Sequence, residues 1–133
     1  MNILITGGSR GIGAAAVRLF CARGDSVWFL YEKSHEAALA LAQETGAAAI
    51  SCDVADEQAV LAAFSQLPAL DALICNAGIA HYGLISEITP EAWRRIFAVN
   101  VDGIFHCVRA ALPGMLQKQA GAIVTVSSMW GQV

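Results

Sequence analysis

The sequence predicts a doubly wound α/β fold, a parallel sheet with helices on both faces. Three observations predict it. Short β-branched runs alternate with longer Ala-rich runs along the chain, the pattern of strands joined by crossover helices. Apolar runs such as Val27-Trp28-Phe29-Leu30-Tyr31 are continuous rather than alternating, which suits strands buried on both faces. A glycine loop, Thr6-Gly7-Gly8-Ser9-Arg10-Gly11-Ile12-Gly13, links the first strand to the first helix.

In chain order, residues 2–6 form the first strand, and Gly11 opens a helix to about Arg23 that Gly24 ends in the left-handed conformation. A second strand spans 26–31. Ser34 is placed to cap a helix to about Thr45, terminated by Gly46. The third strand spans 48–52, Asp56 caps a helix to about Leu67, and the fourth strand spans 71–75. Thr89-Pro90-Glu91 combines a hydroxyl cap, a proline at the first helical position and an acid in the first turn. That helix is expected to reach about Ala111, with Pro113 and Gly114 disturbing its end. A fifth strand spans 122–127. Right-handed crossovers then place helices on both faces of a Rossmann-like sheet. Residues 1–133 read as one nucleotide-binding domain, incomplete after the fifth strand. An edge and a helix face left uncovered there are expected to make the isolated chain oligomeric, aggregation-prone or marginally folded.

Hydrophobic residues make up 56% of the chain and charged ones 14%, but the apolar stretches are strand-sized and fall short of bilayer length, so no membrane association is expected. The net charge of −3 comes without a basic run, which argues against nucleic acid. No basic segment precedes an apolar signal region at the amino terminus, and a cytoplasmic location is expected. Cys21, Cys52, Cys75 and Cys107 are widely spaced in apolar segments. Free buried thiols are expected, with neither a disulfide framework nor a metal site.

The glycine loop carries chemistry. Gly7 permits a sharp turn out of the strand, Gly11 lets backbone approach a pyrophosphate, and Gly13 allows the helix to pack closely on the strand. The helix N-terminus then offers N–H groups and the positive end of its dipole to an anion. The loop, Gly-x-x-x-Gly-x-Gly, resembles the cofactor signature of the short-chain dehydrogenase/reductase family. Asp53-Val54 after the third strand, Asn76-Ala77-Gly78 after the fourth, Asn100 in Val99-Asn100-Val101-Asp102-Gly103, and Ser128 after the fifth strand follow in that family's order. Cys75 departs from it, standing where the family usually has a first Asn.

The resemblance implies a nicotinamide cofactor on Gly7, Ser9, Arg10, Gly11, Ile12 and Gly13, with Asp53 accepting from the adenine amine beside Val54, and Asn76, Ala77 and Gly78 lining the site. Asp53 also reads as a helix-approach residue, and Asn76 as a turn stabiliser. An acid at the end of the second strand selects NAD and a basic neighbour selects NADP. Tyr31 stands at the selecting position without charge, while Arg10 and Lys33 are candidate partners for a 2′-phosphate. NADP is therefore favoured. NAD stays open through Glu32, which either faces solvent or turns inward and repels phosphate.

The resemblance further implies reduction of a carbonyl, closest to the 3-oxoacyl-(acyl carrier protein) reductase branch, with Ser128 on the substrate oxygen and the main chain of Asn100 holding a water in a proton relay. Strand alternation turns Ser127 into helix packing. Ser127-Ser128-Met129-Trp130-Gly131 also resembles reductases of 5-aminopentanone-modified elongation factor P. His81, Tyr82, Met129 and Trp130 are expected on the substrate side, Trp130 as pocket wall or packing residue. His35 reads as a solvated helix start and His106 as a helix surface or interface. The family's Tyr-x-x-x-Lys pair would lie past Val133. Neither Tyr31 nor Tyr82 has a Lys four residues on, so the 133 residues alone are expected to be inactive. The alternative is a non-catalytic nucleotide-binding or interaction module that keeps the fold. An acyl-carrier-linked or small carbonyl compound and, at full length, a second copy of the chain are the expected partners.

Overall fold

A computed structural model describes residues 1–129. Five parallel strands, β1 (Asn2–Thr6), β2 (Ser26–Tyr31), β3 (Ala48–Ser51), β4 (Ala72–Cys75) and β5 (Ala122–Thr125), lie in the order β3-β2-β1-β4-β5. Around them pack α1 (Gly11–Ala22), α2 (His35–Thr45), α3 (Glu57–Phe64), α4 (Pro90–Phe97) and α5 (Gly103–Lys118). The chain runs outward from β1 through β2 to β3, then crosses back to lay β4 on the other side of β1. The strand order therefore reverses at the carboxyl ends of β1 and β4, the place where doubly wound sheets bind ligands.

Alternation along the strands divides the core in two. Ile3, Ile5, Val27, Phe29 and Tyr31 face α1 and α2, meeting Ala14, Val17, Ala38 and Leu41. Leu4, Leu30, Leu73 and Cys75 face the other way, onto Val60 and Ala63 of α3, Val99 between α4 and α5, and Cys107, Ala111 and Met115 of α5. Phe29 is fully buried at the centre, where truncation to Ala removes about 3–5 kcal/mol.

The helix ends follow local chemistry. Asp56 accepts from the N–H of Gln58 and Ala59, and Thr89 from that of Ala92 ahead of Pro90. Gly24 and Gly46 close their helices at φ +84° and +76°. Ser34 makes no capping hydrogen bond among the described residues; its ψ of 61° lies outside the extended region a cap requires. His35 instead hydrogen-bonds Tyr31, Nδ1 to hydroxyl at 2.7 Å, so it is not simply a solvated helix start.

The fourth helical region departs furthest from expectation. A π turn at Ala98–Asp102 divides it into α4 and α5, and α5 runs past Ala111 to Lys118 with Pro113 inside it. Pro113 and its i−4 neighbour Arg109 are both exposed, so the missing bond falls on the solvent side, while Ala111 and Met115 anchor the helix on the core. The stop is Gln119, left-handed at φ 53°. By length and composition Pro90–Lys118 is apolar enough to cross a bilayer, but its Val99, Cys107, Ala111 and Met115 are spent on the sheet. The strands are shorter than expected at β3 and β5, and β5 is an exposed edge. Ser127 lies beyond it and is exposed rather than packed under a helix.

The π turn delivers Gly103 to a close contact between α5 and the loop after β3: a Cβ there would stand 2.6 Å from Val54 Cγ2. Gly114 has only ordinary contact, 3.8 Å from Ala69 Cβ. Urea unfolding should show Gly103→Ala destabilised by about 1–3 kcal/mol through overpacking. Gly114→Ala should gain about 0.5–1 kcal/mol from helix propensity. Equal effects of one sign would mean that α5 does not seat on Val54 as described.

Candidate functional site

At the switch point β1 and β4 are tied by side chains. Thr6 Oγ1 accepts from Asn76 N at 3.0 Å and Ala77 N at 2.9 Å. Asn76 Nδ2 donates to the carbonyls of Thr6 and Gly7, each at 3.1 Å. The glycine loop closes on this junction with no room to spare. A Cβ at Gly13 would stand 2.3 Å from Gly7 O, and one at Gly7 2.8 Å from Ala77 Cα. Gly11 is the opposite case: at φ +53° it has nothing within 4 Å of a Cβ position and stands at the head of α1. No side chain among the described residues caps that helix, so its first N–H groups are left available to an anion.

A groove of about 380 Å³ runs from this loop across the strand ends. Gly7, Ser9, Arg10 and Gly11 line it from the loop, Tyr31 and Lys33 from the end of β2, Asp53 and Val54 from after β3, and Asn76, Ala77 and Gly78 from after β4. Four expected residues lie outside its lining. Ile12 is 69% exposed, Gly13 is buried behind the loop, and Asn100 and Ser128 do not line it. The Tyr31 ring is buried in the core with its hydroxyl on His35, so Tyr31 offers the groove an uncharged strand end.

The end of the groove at β2 and β3 carries a charge network. Arg95, on α4, donates to Asp53 Oδ2 at 2.7 Å and lies 3.1 Å from Glu32 Oε1. Lys33 Nζ stands 3.7 Å from that same Glu32 oxygen. Glu32 thus lines the groove and is ion-paired, with its side chain 36% exposed. Partial burial works to raise the Asp53 carboxyl, but the hydrogen bonds from Arg95 and the Ala55 N–H outweigh it and hold the group below its ordinary range. Arg95 went unseen in the sequence, where it is one of two adjacent arginines on a solvated helix.

Asn100 lies in the π turn, and its side chain clamps Ile79: Oδ1 accepts from Ile79 N and Nδ2 donates to Ile79 O, both at 2.8 Å. Bulges of this kind recur at functional sites. His106 is bound within the fold, Nδ1 2.9 Å from Val54 O. Ser128 follows β5 by three residues and is exposed, as are His81, Tyr82 and Met129. Trp130 and Gly131 lie outside the described residues. Cys52, Cys75 and Cys107 are free and buried. Burial pushes their thiols up, to about 11 for Cys52 and Cys75 and about 12 for Cys107, so none is a nucleophile at neutral pH.

The short chain dehydrogenase family model matches residues 1–133. The cyclic-di-GMP-binding biofilm dispersal mediator protein of Escherichia coli (strain K12) is 42% identical over 98% of this chain and 54% of its own length. The 3-oxoacyl-[acyl-carrier-protein] reductase of Staphylococcus aureus is 36% identical over 99% of this chain and 57% of its own. Among solved structures, BdcA in complex with NADPH superposes with a TM-score of 0.88 at 38% identity, covering 98% of this chain and 53% of that one. The chain spans about half the length of the curated relatives it matches. A parallel sheet, a glycine loop at its switch point and these likenesses together place the chain in the short-chain dehydrogenase/reductase family of nicotinamide-dependent oxidoreductases, on its 3-oxoacyl-[acyl-carrier-protein] reductase-like branch.

Proposed function

We propose that residues 1–133 are the NADPH-binding part of a cytoplasmic reductase that converts a carbonyl compound, a 3-oxoacyl thioester by branch, to an alcohol. The observation that carries this reading is Gly11 at the open head of α1, with the cations Arg10 and Lys33 lining the same groove. The absence of a Cβ contact at Gly11 and the uncapped helix fit a pyrophosphate, and the uncharged end of β2 leaves space for a phosphorylated ribose. The likeness to an NADPH complex supports the choice of cofactor.

In this reading Gly7, Ser9, Gly11 and Ile12 present backbone to the pyrophosphate, and Gly13 keeps the helix seated behind them. Arg10 and Lys33 hold the 2′-phosphate beside Tyr31. Asp53 accepts from the adenine amine next to Val54, and Asn76, Ala77 and Gly78 form the floor. The bound nicotinamide supplies a hydride to the carbonyl carbon. Ser128 donates to the carbonyl oxygen, stabilising the charge that grows on it. The main chain of Asn100, in the π turn, holds a relay water. Tyr31 is committed to His35, and neither tyrosine has a Lys four residues on. Residues 1–133 therefore bind and orient without donating the alkoxide proton.

A second reading is favoured by the Escherichia coli relative: a nucleotide-binding module that responds to cyclic-di-GMP without catalysis. Calorimetric titration with NADPH, NADH and cyclic-di-GMP separates the two. NADPH should bind most tightly, and Arg10→Ala should cost it about 1.5–3 kcal/mol, the worth of a charge-assisted pair, with NADH little changed. Equal losses would overturn the phosphate assignment, and binding of cyclic-di-GMP alone would favour the second reading.

The partner is a second copy. Trp93, Phe97, Val101, Phe105, Leu112 and Leu116 are exposed along α4, the π turn and α5, and most follow one another at four-residue spacing, which brings side chains to one side of a helix. Sedimentation should find the wild type oligomeric and a Phe97→Glu/Phe105→Glu variant monomeric. An unchanged sedimentation coefficient would remove this face from the interface.

A further inference from the structure

Four charged groups line the ribose end of the groove: Arg10 and Lys33 of one sign, Glu32 and Asp53 of the other. Left to themselves they would cancel, with Glu32 drawing Lys33 away from any phosphate. Arg95 changes the balance from outside the lining. Its guanidinium spans the ends of β2 and β3, Nη1 2.7 Å from Asp53 Oδ2 and Nη2 3.1 Å from Glu32 Oε1. The oxygen it takes from Glu32 is the one Lys33 approaches only to 3.7 Å. Thr89 and Pro90 cap and start the helix that carries Arg95, so its position is set by α4 rather than by the mobile end of a loop. A planar fork can engage two carboxylates at once; an ammonium group on Lys is a single point charge.

We propose that Arg95 is a specificity-determining positioning residue, which by holding Glu32 and Asp53 on one guanidinium leaves Lys33 and Arg10 free for the 2′-phosphate of NADPH. It acts through the two carboxylates. The inference rests on the NADPH reading above and adds to it the reason that an acid one residue past the selecting position does not turn the groove toward NADH.

The test is the dissociation constants of NADPH and NADH for wild type, Arg95→Gln, Arg95→Lys, Glu32→Gln and the Arg95→Gln/Glu32→Gln double variant. Arg95→Gln should weaken NADPH about tenfold while NADH moves less than about threefold, because an unpaired carboxylate then faces the phosphate. Glu32→Gln should restore most of that loss in the double variant, and Arg95→Lys should fall between wild type and Arg95→Gln. Equal weakening of both nucleotides, or no rescue by Glu32→Gln, overturns the proposal. If Arg95→Gln does not fold, Glu32→Gln alone decides: it should shift the preference further toward NADPH, and an unchanged ratio overturns the proposal. A wild type that prefers NADH or binds neither nucleotide overturns the NADPH reading itself and the inference with it. That failure is visible before any variant is made.

Discussion

Thr6 Oγ1, buried at the carboxyl end of β1, accepts hydrogen bonds from both Asn76 N and Ala77 N, and the site depends on that junction. Just past the end of β4 the chain leaves the sheet, and those two N–H groups need an acceptor off the ladder. A buried donor left without one costs about 1–3 kcal/mol. Asn76 returns the exchange by donating to the carbonyls of Thr6 and Gly7. The glycine loop is thereby held against β4 closely enough that Gly7 and Gly13 admit no Cβ. Because the loop is fixed from below, α1 starts at one defined place and Gly11 faces the groove.

Function follows from what that geometry leaves open. The loop and the head of α1 present backbone to the groove, insensitive to side-chain rotamers. The end of the groove at β2 and β3 is built from side chains that balance one another: Arg95 against Glu32 and Asp53, with Arg10 and Lys33 left over. On the far side the π turn in the long helix places Asn100 on Ile79, bracing the start of the loop after Gly78. The buried thiols contribute packing and no reactivity.

Most of the fold was legible in the sequence because its signals are local. Alternating β-branched and Ala-rich runs, Thr89-Pro90, Asp56, Gly24 and Gly46 each act within one turn of chain. What sequence reading missed depends on neighbours distant in the chain. Pro113 stays helical because Ala111 and Met115 are anchored on the sheet and its own side faces water. Ser34 forgoes its cap while His35 meets Tyr31. Most of the groove was visible too, since the loop, Asp53 and Asn76 stand at strand ends that the fold brings together. Arg95 was not, because its partners Glu32 and Asp53 are more than forty residues away and nothing on α4 marks it. Gly8 was likewise passed over, although a Cβ there would stand 2.4 Å from Phe29 Cβ.

The Thr6 hydroxyl, through Asn76 and Ala77, shapes the groove at the strand ends. The most direct test is NADPH affinity of Thr6→Val set beside Thr6→Ser. Valine keeps the shape and removes the acceptor; serine keeps the oxygen. Thr6→Val leaves both N–H groups without their acceptor and should bind NADPH about tenfold or more weakly, and Thr6→Ser should stay within about threefold of wild type. A folded Thr6→Val protein that binds NADPH as tightly as wild type would contradict the account.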